Sequence, residues 1–178
     1  MALAPGKTQI AWGEFSPHMP MPPKAGLMAA SSPDGKVRSL TFSGLELRCG
    51  DPGAPKSATL ALAGVQPLTI PKSMAWTGTL AIVRGAFDGG NGARGTVLIG
   101  IGGGVFSRVF TSPVSGDMVS EEFAIPVFSP EGAVTVGADA VVETTPLTMS
   151  VVLIAAAPGE RSSVILSVNS IDFSLWTG

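Results

Sequence analysis

From residue 36 onward, apolar side chains alternate with polar ones at every second position, and no stretch shows a helical period. Leu40 and Phe42 share one face of the first such segment, and the alternation resumes one residue later at Leu45, after Ser43-Gly44. A phase change at a glycine is typical of a β-bulge, which admits one extra residue before the buried face continues. The pattern therefore predicts β-strands and a bulge rather than helices.

The same alternation recurs along the chain in roughly nine or ten short segments separated by Gly- and Pro-rich turns. A second phase change falls at Asn169-Ser170. The segments are residues 36–49, 58–62, 80–82, 97–101, 105–110, 123–127, 134–142, 147–154, 164–168 and 171–175. This spacing predicts an all-β fold, an antiparallel β-sandwich of jelly-roll-like architecture.

Three segments carry more detailed expectations. Val97 to Ile101 is almost continuously apolar, which predicts a strand buried on both faces. Asp88 to Gly95 is rich in glycine and predicts an exposed hairpin loop, with a second glycine-rich turn at Gly102–Gly104.

Residues 1–35 differ from the rest and predict an extended, Pro-rich N-terminal arm in front of a sandwich domain at 36–178. Prolines recur through the segment and exclude a helix. Its large apolar side chains are unlike those of a disordered tail, so we expect the arm to lie along its own domain or a neighbour's. The expected contact residues are Ile10, Trp12, Phe15, Met19 and Met21.

Composition excludes several classes of function. The net charge is −2, which leaves no basic field for nucleic acid. One Cys and one His cannot form an intramolecular disulfide, a Cys-based zinc site or a multi-histidine centre, so no cofactor or metal is predicted. The longest apolar run, Val151 to Ala157, is too short for a membrane-spanning helix.

The expected location follows from two further absences in the sequence. No signal peptide is visible, and Cys49 is unpaired. An unpaired cysteine favours an intracellular origin or assembly into a particle. The sequence leaves the location open and favours a virion or extracellular particle over the free cytoplasm.

Motifs for ligand binding are incomplete. Gly6-Lys7-Thr8 matches the end of a phosphate-binding loop but lacks the earlier glycine and the preceding strand. His18 and the neighbouring methionines offer soft ligands for Cu(I), although methionine in an arm more often packs against a surface. Asp88 and Asn91 offer oxygen ligands for Ca²⁺, yet turn chemistry explains an Asn-Gly pair by itself.

Catalytic groupings are incomplete as well. A Ser-His-acid set would depend on His18 of the arm, and no Gly-X-Ser-X-Gly turn is present. Cys49 is in phase with the apolar side chains before it and is expected to point into the core, where a thiol is inert. Glu121 and Glu122 are adjacent on a strand and point to opposite faces. The sequence predicts no catalytic residue and no enzyme.

Low charge favours a role in assembly. Charged residues make up 13% of the chain, and Ser, Thr, Ala and Gly fill many outward positions, so little repulsion opposes association. The chain is predicted to be a structural, self-associating subunit: a virion shell, decoration or tail component, or a surface filament. We expect a trimer or larger, with other assembly subunits as further partners.

Two alternatives remain open at the level of the sequence. One is a carbohydrate-binding module, because exposed tryptophans stack on sugar rings; Trp76 and Trp176 are the candidate ligand-facing residues. The other is an enzyme whose active site is assembled from distant strands.

Overall fold

The computed structural model describes residues 9–23, 25–71, 74–114, 116–129, 134–135 and 142–177. The strands are β1 (Ala11–Trp12), β2 (Ser16–Pro17), β3 (Gly26–Ser31), β4 (Val37–Ser43), β5 (Glu46–Cys49), β6 (Ser57–Pro71), β7 (Ala75–Gly90), β8 (Arg94–Ile101), β9 (Gly104–Thr111), β10 (Val119–Ser129), β11 (Val134–Thr135), β12 (Val142–Ala156) and β13 (Ser163–Thr177).

These strands form two antiparallel sheets that pack face to face. Sheet A has the order β1-β6-β12-β8-β9, and β2 pairs with β6 beside β1. Sheet B has the order β10-β7-β13-β4-β3; β11 also pairs with β7, and β5 also pairs with β13. The predicted all-β antiparallel sandwich is confirmed.

Alternating burial along the long strands produces the core between the sheets. In β12, Leu147, Met149 and Val151 are buried while the residues between them face outward. The inward side of these strands is therefore removed from water, and each Å² of apolar surface buried there contributes about 25 cal/mol to folding. Aromatic rings fill the middle of this layer; the Phe87 and Phe110 rings stack with their centroids 5.4 Å apart.

Both phase changes in the sequence are real features of the backbone. Gly44 has a φ of 71° and separates β4 from β5, which pair with successive parts of β13. Leu40, before this glycine, and Leu45, after it, are both buried. In β13 the register with β7 shifts between Val168 and Ser170, so the core face resumes at Ile171.

Two of the finer expectations are wrong. Leu98 is 37% exposed and lies on the outer face of sheet A, so residues 97–101 are buried on one face only. The segment Asp88–Gly95 is not a hairpin loop, because β7 belongs to sheet B and β8 to sheet A; the chain crosses between the sheets there. The glycine turn after Ile101 does close a hairpin, between β8 and β9. Much of the predicted strand at 134–142 lies outside the described residues.

Residues 10–18, the N-terminal clasp, lie along the open edge of their own sandwich. Ile10 is buried, and Trp12 Nε1 donates a hydrogen bond to the Gly35 carbonyl at 2.7 Å. The Gly13 carbonyl accepts from Gln66 Nε2 of sheet A at 2.6 Å and from an Arg38 terminal nitrogen of sheet B at 3.3 Å. The clasp therefore ties the two sheets together. Residues 1–8 of the predicted arm lie outside the described part, and the division at 35/36 stays a prediction.

Gly35 provides a test of the clasp. It has a φ of 72°, and a Cβ there would overlap the Ile10 carbonyl, whereas Gly53 has a similar φ of 84° with nothing within 4 Å of its Cβ position. We expect Gly53→Ala to cost about 1–2 kcal/mol, from the left-handed backbone alone. Gly35→Ala should cost at least about 2 kcal/mol more, because the clasp must also move. Urea unfolding measures both, and equal losses would contradict this account of the clasp.

Candidate functional site

The outer face of sheet A is uncharged over its centre. In register across β6, β12, β8 and β9, the outward side chains are small, hydroxylic or aliphatic. This uncharged face consists of Thr59, Ala61, Ala63, Val65, Thr148, Ser150, Val152, Ile154, Thr96, Leu98, Gly100, Val105, Ser107 and Val109. Arg94 stands at one end of it. A soluble antiparallel sheet ordinarily carries polar and charged residues on its solvent side, so this face is unusual.

The uncharged face is most apolar along β9. Val105 is 81% exposed and Val109 is 64% exposed, and Leu98 of β8 lies between their rows. A shallow groove of about 310 Å³ begins beside Val105, passes over Ser150 and ends at His18. His18 follows β2 directly and lies at the border of the uncharged face. The small side chains in its floor leave the backbone of the sheet close to the surface. The face thus offers apolar contact area without a charge to desolvate.

The free edge of β9 is closed by a charge that points inward. Arg108 forms an ion pair with Glu121 of β10, and its guanidinium carbon lies 4.9 Å from the Phe110 ring centroid. This contact joins the edges of the two sheets. An inward charge on an edge strand discourages pairing with a strand from another chain. If another chain associates with sheet A, the sheet's outer face is therefore a more favourable contact than this edge.

The outer face of sheet B is charged. Arg84 Nε lies 3.2 Å from Asp172 Oδ2, and Arg48 Nε lies 2.8 Å from Glu46 Oε1. Both pairs are open to solvent, and screening by water leaves such pairs little net contribution to stability. The Glu46 pairing raises the pKa of Arg48 above its ordinary value, chiefly through the hydrogen bond. The two sheets therefore present chemically different faces to solvent.

Two exposed aromatic rings lie at one end of the sheet B face. The Trp176 and Phe128 rings have their centroids 4.8 Å apart, and each ring is about half exposed. The sequence reasoning missed Phe128. Phe123, Ile125 and Val127 of the same strand point inward at every second position. Phe128 falls outside this alternation, which indicates a ring on the outer face.

Trp76 does not face a ligand, which corrects the expectation from the sequence. It is 2% exposed, and its Nε1 donates to the Gly78 carbonyl at 2.8 Å and to Thr79 Oγ1 at 3.1 Å. Trp176, by contrast, is 51% exposed. Of the two predicted residues, only Trp176 has a ring face available.

The predicted arm contacts lie mostly against their own domain. Ile10 is in the core, and the Phe15 ring covers Gly64 of β6. Trp12 lies 5.9 Å from the Phe173 ring, and Met21 packs partly buried against the core. Met19 is 40% exposed. Ile10 therefore has little surface for a neighbour, and contacts between subunits through the other four stay a prediction.

The described residues contain no cluster of metal-binding side chains: no three His, Cys, Asp or Glu stand close enough together to hold a metal ion. Asn91, a candidate calcium ligand, donates from Nδ2 to the Arg161 carbonyl at 2.8 Å. No helix in the described part is long and apolar enough to cross a membrane.

Comparison with known proteins adds little. No protein-family model matches the chain, and no curated protein does. Among solved structures, the chain is similar to a family 11 carbohydrate-binding module from Clostridium thermocellum in complex with a β-1,3-1,4-mixed-linked tetrasaccharide. The identity is 15%, the match covers 93% of this chain and 86% of that one, and the TM-score is 0.24. That score is too low for the likeness to bear on function.

Cys49 should be unreactive in the folded protein. Its side chain is fully buried, its Sγ lies 3.7 Å from the Ala155 carbonyl oxygen, and burial raises the pKa of the thiol. Because the thiolate is the reactive form, we expect no labelling by Ellman's reagent at pH 8 in buffer and stoichiometric labelling in urea. Rapid labelling of the native protein would contradict the placement of Cys49 in the core.

Proposed function

We propose that the chain is a non-enzymatic structural subunit that associates with copies of itself through the uncharged face of sheet A. The observation that carries this proposal is the absence of charge across four neighbouring strands in the described part of that sheet. The larger assembly that we propose is a virion shell, decoration or tail component, or a surface filament, with a trimer or larger as the unit.

A second copy suits this face better than an unrelated partner. Two uncharged faces meet without like-charge contacts, and neither has to desolvate an unpaired ion. Four strands about 4.8 Å apart, each contributing about six residues to the face, give roughly 400 Å². That is about half of the roughly 800 Å² that each partner buries in a standard interface, so the residues around the face would supply the rest. A copy seated there also touches His18, so the arm would border the contact.

Adding charge to the face tests this proposal. We expect Val105→Glu and Val109→Glu to shift the protein towards an 18.0 kDa monomer, because each would bury a carboxylate in the contact. Val114→Glu is the matched control, since Val114 is equally exposed in the connection after β9, away from the face. Sedimentation or light scattering over about a tenfold concentration range measures the mass. A wild-type monomer throughout, or an equal effect of Val114→Glu, would refute the proposal.

A second candidate function is carbohydrate binding on the opposite side of the molecule. The Trp176–Phe128 pair favours it, because exposed rings present apolar faces on which a sugar can stack. The pair lies on sheet B, so this function is compatible with association through sheet A.

Trp176→Ala tests the second candidate. The variant removes the more exposed ring and should lower affinity for neutral oligosaccharides about tenfold, since stacking is worth about 0.5–1.5 kcal/mol beyond the buried area. Met28→Ala is the control, because Met28 is also exposed on sheet B but lies on the edge strand β3. Isothermal titration calorimetry gives both affinities. Unchanged binding in Trp176→Ala would exclude the pair as the site.

A further inference from the structure

We infer that the groove at the bulge of β13 is the hydrogen-bonding part of a site for a neutral oligosaccharide that extends from the Trp176–Phe128 pair. This inference rests on the second candidate function and adds to it a ligand class and a second set of contacts. The groove has a volume of about 440 Å³ and lies on the outer face of sheet B.

The groove is built by the backbone of three strands. The bulge between Val168 and Ser170 interrupts the register of β13 with β7 and leaves Asn169 exposed. Gly85 of β7 lines the groove with its backbone, and a Cβ there would overlap the Ser167 carbonyl and the Phe123 ring. Backbone at Gly85 and the polar side chains beside it therefore form the lining of the groove.

Those side chains retain unused hydrogen-bonding groups. Among the described residues, Glu122, Asn169 and Ser170 have no side-chain partner. Arg84 pairs with Asp172 through Nε alone, which leaves its terminal nitrogens free to donate. A sugar hydroxyl both donates and accepts, so it can donate to the carboxylate and accept from the guanidinium. The lining has one guanidinium, Arg84, and one carboxylate, Glu122, and Asp172 pairs with Arg84 beside the groove. The three charges together are net negative, which disfavours an anionic ligand.

The groove and the aromatic pair belong to one continuous surface. Ala124 lines the groove and Phe128 belongs to the aromatic pair, four residues along β10 and about 13 Å away by the rise of a strand. The row between them consists of Pro126, Ile82 and Asp172, paired across three strands, and the Asp172 carboxylate is already paired with Arg84. A single sugar ring is shorter than this span, so a ligand that uses both ends is an oligosaccharide.

Oligosaccharides of increasing chain length test the inference. The probes are β-linked gluco-, xylo-, manno- and galacto-oligosaccharides and α-linked gluco-oligosaccharides, from disaccharide to hexasaccharide, titrated by calorimetry up to millimolar concentration. We expect affinity for one series to rise about tenfold with length. Glu122→Gln and Asn169→Ala should each remove most of that rise and leave disaccharide affinity unchanged. Asp88→Asn, on the outer face of β7 outside the groove, should leave both unchanged.

The outcomes separate this inference from the function on which it rests. If both groove variants keep the full gain with length, the groove is not part of the site, while a Trp176-dependent affinity still supports the second candidate. If acidic oligosaccharides bind more tightly than neutral ones, the assigned ligand class is wrong. If none of the probes binds, carbohydrate binding itself is refuted. Circular dichroism spectra that match wild type show that the exposed variants are folded.

Discussion

Contact between the inner faces of the two sheets holds the molecule together, and the rest of the structure depends on it. Every long strand contributes its inward side chains to this layer, with Phe87 of sheet B packed on Phe110 of sheet A. The inward-facing residues of the strands supply the apolar core. The outward-facing residues are therefore free to differ between the two sheets. Sheet A has an uncharged outer face, and sheet B has ion pairs and a polar groove.

The edges of the sandwich are closed by two different means. On one side, Arg108 of β9 reaches Glu121 of β10. On the other, the clasp places the Gly13 carbonyl between donors from both sheets. Both closures reduce the exposed edge available to a foreign strand. Contact through faces is then the remaining route to association, and it is the route that the low charge of the sequence favours.

Much of the fold follows from local patterns, and much of the candidate site does not. The strands, the breaks at Gly44 and near Asn169, and the burial of Cys49 depend on alternation along single segments. The sheet to which a strand belongs depends on distant pairing, so the local pattern predicts a hairpin at 88–95 where the chain in fact crosses from β7 of sheet B to β8 of sheet A. The same limit applies to Trp76, whose burial is set by the sheet around it, and to the groove, whose residues come from three strands.

The position of β13 in sheet B has a consequence for biosynthesis. This strand comes after all the other described strands in the sequence, yet it pairs with β7, β4 and β5. In sheet A, β12 likewise joins β6 to β8. A nascent chain that has not yet extended beyond residue 140 has neither central strand, so among the longer ladders only the separate pairs β3–β4, β7–β10 and β8–β9 can form in full. The core therefore forms only after β12 and β13 leave the ribosome, and until then the apolar strands are exposed to chaperones.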